Sequence, residues 1–303
     1  MGFGARLIRD IKKHKYKYLI VLPVVIYLII FCYKPMYGII IAFQRFRPNL
    51  GIARSKWVGL DNFRRFFVDP SFFKVLRNTF AISGLSIVFS FPMPIILALL
   101  LNEVRVSWFK RTVQTITYLP HFISMVVMCG LVTNFCQTNG VLNDIIVFFG
   151  GERSNLLLDS SLFYPIYIIS GIWQEVGWGS IIYLAAISGI DQEQYEAARI
   201  DGASRLQQLW FITLPGLLPT VSMMLILRLG QVLSVGYEKI LLLQTPLTSG
   251  VSTVISVFVY QKGLEGGDFS YSTAVNLFNS VVNIVFLVAA NKISKIMGQS
   301  GLF

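Results

Sequence analysis

Six stretches of this chain have the length and apolarity to cross a bilayer, and that leaves little else for it to fold into. They run over roughly 18–43, 78–101, 115–136, 162–188, 214–237 and 270–291. A span needs about 20 apolar residues, and the second, third and sixth stretches carry no Asp, Glu, Lys or Arg. Only 14% of the chain is charged, against about a quarter in an average soluble domain. Lipid offers the backbone no hydrogen-bond partner, so each stretch is expected to be a helix. The fold class is therefore an all-α integral membrane protein with six transmembrane helices. The uncharged stretch 240–261 is interrupted by Gln244, Thr245, Pro246 and Gly250. Its Val251, Val254, Ile255 and Phe258 recur at helical spacing, which predicts an interfacial helix and not a seventh span.

Basic residues orient membrane helices. Arg6, Arg9, Lys12, Lys13, Lys15 and Lys17 precede the first span, which predicts a cytoplasmic N-terminus. An even span count then puts the C-terminus on the same side, and with it the loop 189–213. The chain divides into a basic cytoplasmic segment 1–17, a transmembrane domain 18–291 and a cytoplasmic tail 292–303. The apolar run after the basic start is longer than a signal peptide's and lacks its small-residue cleavage site, so it reads as a retained span. The first outer loop is also basic (Arg45, Arg47, Arg54, Lys56, Arg64, Arg65 and Lys74) and suits either lipid headgroups or an acidic partner. Cys32, Cys129 and Cys136 all fall in spans and read as packing residues.

The sequence contains no phosphate-binding loop, no H-E-x-x-H, no C-x-x-C and no nucleophile elbow. No catalytic residue, metal site, cofactor or nucleic-acid contact is expected. Two charges do lie inside spans: Glu175 in GIWQEVGWGS and Arg228 in LILRLGQV. A mid-membrane Arg costs roughly 2.5–3.5 kcal/mol on insertion scales, so the two are expected either to pair or to face one cavity. With Trp173, Trp178, Gln231 and Glu238 they form the candidate substrate pathway. Gly171, Gly177, Gly179 and Gly189 beside them allow close helix approach. Pro35, Pro92 and Pro94 are expected to kink their spans.

Between the fourth and fifth spans stands DQEQYEAARIDGASRLQQLWFITLP. Its acidic residues come early, as a helix dipole prefers. Gly202 offers a left-handed stop, a second helix follows, and Pro215 suits the first turn of the next span. A short helix, a tight turn and a second helix would expose Glu196, Asp201 and Arg205.

This segment resembles the coupling-loop signature of ABC importer permeases. The matching residues are Glu196, Ala197, Ala198, Asp201, Gly202, Ala203, Ile212, Leu214 and Pro215, followed by Pro219, with Arg205 inside the loop. The stretches YKPMYGIIIAFQRF, WVGLDNFRRFF, FPMPIILALLLNEV, VQTITYLPHFIS, IWQEVGWGSIIYLAAISGID and ILRLGQVLSVGYEKILLL are similar to the polysaccharide and complex-sugar branch of that family. The resemblance implies a type I importer permease in the plasma membrane that carries oligosaccharides or polysaccharide fragments. It also implies a second permease subunit, a cytoplasmic ABC ATPase dimer that hydrolyses the ATP, and an extracytoplasmic, lipid-anchored sugar-binding protein. A permease of the same architecture for a non-sugar solute is the alternative. A secondary transporter is another, but it would need coupling-ion sites and internal pseudo-symmetry.

Overall fold

The computed structural model describes residues 13–298, 301 and 302. Arg6, Arg9 and Lys12 of the basic start lie outside the described residues. In chain order the main helices are α1 (Lys15–Phe43), α2 (Asp61–Val68), α3 (Phe72–Glu103), α4 (Ser107–Tyr118), α5 (Met125–Cys136), α6 (Val141–Phe148), α7 (Phe163–Ser188), α8 (Gln192–Ile200), α9 (Arg205–Leu229), α10 (Tyr237–Leu243), α11 (Ile255–Tyr260) and α12 (Phe269–Ile296).

Among the described residues, five segments are long and apolar enough to cross a membrane: α1, α3, Met125–Phe148, α9 and α12. The 26-residue α7 has the length, but Gln174, Glu175 and its glycines dilute its apolarity. The expected third span, 115–136, is not one helix. Pro120 lies in a tight turn over Leu119–Phe122, and Ile123 is extended, so α4 and α5 are separate. The expected fifth span also ends early. α9 stops at Gly230, and residues 230–236 form an irregular stretch before α10. Residues 240–261 form no single interfacial helix. They break into short pieces, and Val254, Ile255 and Val257 are fully buried.

Three prolines sit just beyond a widened turn. The turns cover Leu28–Tyr33, Ser86–Ser90 and Leu209–Thr213, and the prolines are Pro35, Pro92 and Pro215. A proline ring collides with the carbonyl four residues earlier. Here those carbonyls belong to Phe31, Val88 and Phe211, and each lies inside the widened turn. One extra residue per turn re-aims the carbonyl and lets the helix continue. Pro215 therefore opens no new helix. It stands inside the continuous Arg205–Leu229.

The chain divides into two compact units. The first comprises residues up to Phe66 together with Lys262–Leu277. From Lys15 to Tyr37 every side chain is exposed, although this part of α1 is strongly apolar. A helix apolar all round is made for lipid or a partner helix, not water. After α1 the chain makes a short antiparallel pair, Gln44–Arg45 with Lys56–Trp57. Buried Asn62 holds this turn, donating to the carbonyls of Ala42 (2.9 Å) and Gln44 (3.0 Å). Phe43 stacks on Trp57, and Arg65 bonds Asp268 at 2.8 Å while lying over the Tyr271 ring.

The second unit comprises Phe67–Gln261 and Phe278–Phe303. One core cluster joins Ile82, Met128, Cys129, Cys136, Phe163, Ile240 and Val254. Two of the three cysteines are thus packing residues, as expected, and Cys32 is exposed. A second cluster of Ala98, Tyr183, Ile187 and Leu217 locks α3, α7 and α9 together. Gly177 lets α7 lie directly on the backbone of α4, because a methyl there would overlap the Thr117 carbonyl. Gly179 does the same against Pro94, whose ring carbon would be 3.0 Å from an added methyl.

Candidate functional site

Two places in the second unit combine polar chemistry with defined geometry. The first is the segment between α7 and α9. Asp191 caps α8, its carboxylate accepting the Glu193 N–H at 3.0 Å. Gly202 adopts φ +77°. The Ala203 N–H then reaches the Ala198 carbonyl (2.8 Å) and the Gly202 N–H reaches that of Arg199 (3.1 Å). These are the two bonds of a Schellman turn, which needs a left-handed residue at this position. Two residues on, Ser204 and Gln207 form a reciprocal capping box at 2.7 and 3.3 Å that starts α9.

The result is two helices joined by a turn in which the exposed ends of the backbone are satisfied. Tyr195 and Thr213 tie α8 to α9 through their hydroxyls at 3.0 Å. Arg205 approaches Glu103 at 4.0 Å. Gly216 makes room for the Ile190 side chain, 2.6 Å from where a methyl would sit. Glu196, Ala197, Asp201 and Arg205 are exposed, Ala198, Ala203, Ile212 and Leu214 are half-buried, and Pro215 is exposed. Ile200 is 87% exposed and Phe211 77%. The S-x-x-Q spacing of this box is a local signal that the sequence reading passed over. The pairings with Glu103, Thr213 and Ile190 left no such signal, because they join residues of different helices.

The second place is a cavity of about 450 Å³ whose wall includes Tyr167, Gly171, Glu175, Arg228, Gln231 and Lys239. The structure thus brings Glu175, Arg228 and Gln231 together. It does not pair Glu175 with Arg228. The Glu175 carboxylate instead accepts from His121 Nδ1 at 3.0 Å, and the His121 ring stacks on Trp178 at 4.5 Å between centroids. Trp173, Trp178 and Glu238 are exposed but are not among the residues of this wall. Lys239, which sequence reasoning passed over, is. It is 6% exposed, donates to the Tyr167 carbonyl at 2.7 Å and lies over the Tyr167 ring. Its signal was faint: a Lys in YEKILLL reads as a helix-end charge. The irregular stretch before it is held by Asn283, which bonds the Leu233 N–H (2.9 Å) and the Ser234 hydroxyl (2.8 Å).

One prediction follows from the pairing. Exchanging the charges at Glu175 and Arg228 together is expected to restore nothing lost in the single reversals, because the partner of Glu175 is His121. Recovery of transport in the double reversal above both singles would contradict this geometry.

Residues 90–295 match the family described as the binding-protein-dependent transport system inner membrane component. The chain belongs to this family. Among its relatives, the polygalacturonan/rhamnogalacturonan transport system permease protein YteP of Bacillus subtilis (strain 168) is 46% identical over 98% of this chain and 93% of the relative. Protein LplB of the same organism is 44% identical over 100% of this chain and 95% of its own. Among solved structures, a bacterial ABC transporter involved in the import of the acidic polysaccharide alginate superposes with a TM-score of 0.90 at 43% identity, covering 97% of this chain and 100% of the other. The alginate transporter in complex with an alginate pentasaccharide-bound periplasmic protein matches equally well, with a TM-score of 0.90 at 42% identity. The fold is therefore that of a type I ABC permease, and the chain is a membrane component of a transport system, with several apolar helices of spanning length.

Proposed function

We propose that this permease is a transmembrane subunit of an ATP-driven importer of oligosaccharides or polysaccharide fragments, and that it forms half of the translocation pathway. It works beside a second permease subunit, over a cytoplasmic ABC ATPase dimer that supplies the hydrolysis, and under an extracytoplasmic sugar-binding lipoprotein. Six helices cross the membrane, α7 among them, and both termini are cytoplasmic. The polysaccharide permeases and the alginate importer similar to this chain support a saccharide cargo. The periplasmic protein in the alginate complex supports an external binding protein.

The observation that carries the mechanism is the capped helix–turn–helix of Gln192–Gln208. Residues 196–215, from Glu196 and the two alanines through Gly202 to Pro215, form the contact with the ATPase. The turn has two hydrogen-bonded caps and continues without a break into α9, so a displacement at Ile200 or Asp201 is delivered to a membrane helix. A loop of ordinary flexibility would absorb such a push. Arg228 and Gln231, at the far end of α9 and just beyond it, reach the cavity wall. Motion of α9 therefore changes the cavity directly.

The test is mass spectrometry of what co-purifies with this chain from native membranes in mild detergent. An ABC ATPase and a second permease are the expected companions. Recovery of the chain without an ATPase, under conditions that preserve other membrane complexes, would overturn the coupling reading and favour a secondary transporter.

A further inference from the structure

We propose that Lys239, together with Arg228, forms a carboxylate-binding subsite in the cavity, so that the permease itself selects acidic oligosaccharides. This rests on the reading of the cavity as part of the sugar pathway. The first argument is charge. The wall holds two basic side chains, Lys239 and Arg228, and one acid, Glu175. That acid already accepts from His121. Among the described residues neither Lys239 nor Arg228 has a carboxylate within ion-pair distance. A cation taken out of water is normally paired or given to a ligand, and Lys239 is almost fully buried.

The second argument is donor capacity. An ammonium has three N–H donors and no acceptor. One of those on Lys239 goes to the Tyr167 carbonyl at 2.7 Å, and the ring of the same residue lies 4.5 Å away. These contacts aim the head group and leave donors for a ligand on the cavity side. The third argument is room. A methyl group at Gly171 would stand 3.1 Å from Nζ, so the space beside the ammonium exists because residue 171 has no side chain. Around this pair the wall also carries Gln231 and Ser90, groups able to bond sugar hydroxyls. A neutral glycan would use the amide and the hydroxyl and leave both basic groups without a carboxylate at ion-pair distance. A uronate, with one carboxylate per ring, would meet them. A purely structural peg between α7 and α10 would account for the Lys239 contact with Tyr167 and would leave Arg228 unexplained.

The test uses the full transporter in proteoliposomes, with its partner permease, ATPase and binding protein. The probes are a galacturonate trisaccharide and its methyl ester, which keeps the rings and removes the charge. Losing one charge-assisted hydrogen bond, at roughly 1.5–3 kcal/mol, corresponds to about a tenfold or greater fall in uptake of the acid by Lys239→Gln. Uptake of the ester is expected to fall far less, and Lys239→Arg to restore much of the acid uptake. Arg228→Gln should show the same selectivity, and it carries the test if Lys239→Gln fails to assemble. Equal losses for acid and ester in the variants would make Lys239 a structural peg and overturn the proposal. So would a wild-type transporter that carries the ester and rejects the acid. A wild-type complex that carries neither probe while hydrolysing ATP would count instead against the saccharide-importer reading on which the subsite rests.

Discussion

Gly202→Pro is expected to abolish ATP-driven uptake while leaving the chain inserted in the membrane. The Gly202 φ of +77° is one that proline, locked near −65°, cannot take. Both Schellman bonds, from Gly202 to Arg199 and from Ala203 to Ala198, would open. Helix α8 would then lose its fixed angle to α9, and the contact surface around Ile200 and Asp201 would no longer be held out. A misplacement of ~3 kcal/mol or more corresponds to about a hundredfold loss of the coupled state. Substitutions should be graded. Asn, which tolerates the left-handed region, should stay near wild type. Ala, at roughly 1–2 kcal/mol in that conformation, should fall between. A Cβ at this position would meet nothing within 4 Å, so the alanine result reports backbone conformation, while proline also removes the Gly202 N–H donor. The measurement is ATPase recovered per permease in detergent, alongside uptake in proteoliposomes. A proline variant that keeps both would refute the proposed coupling through this turn.

The second large effect is expected at Gly177. This residue lies in α7 where α4 passes closest, and a methyl group would overlap the Thr117 carbonyl, a backbone group with nowhere to go. Gly177→Ala should therefore force the helices apart, at or above the top of the roughly 1–3 kcal/mol range for overpacking. Thermal unfolding of the purified complex should shift down clearly. Gly179→Ala meets the Pro94 ring at 3.0 Å and should cost less. Gly84→Ala and Gly130→Ala meet nothing within 4 Å and lie in helices, so they should be neutral or slightly stabilising. If Gly177→Ala unfolds at the same temperature as Gly130→Ala, the close approach of α4 and α7 is wrong.

Local chemistry determined much of this protein. Runs of apolar residues specify helices wherever water is absent, because the backbone has no other partner. The helix–turn–helix at 191–215 was also legible in outline, because its Gly202 stop acts locally. Asp191 and the Ser204–Gln207 box are equally local signals that the sequence reading passed over. What the sequence hid was every feature made by residues far apart in the chain. Apolarity alone does not locate the break at Pro120 or the end of α9 at Gly230. It also does not reveal that widened turns carry helices past Pro35, Pro92 and Pro215. Glu175 and Arg228 are both charges in spans, and composition could only suggest that they meet. The fold decided that Glu175 turns to His121, that Arg228 stays without an acid among the described residues, and that Lys239, one helix further on, is buried beside Tyr167. A charge in a low-dielectric interior is governed by what lies within a few ångströms of it, and only the tertiary packing of α7, α9, α10 and the Leu119–Phe122 turn supplies those neighbours.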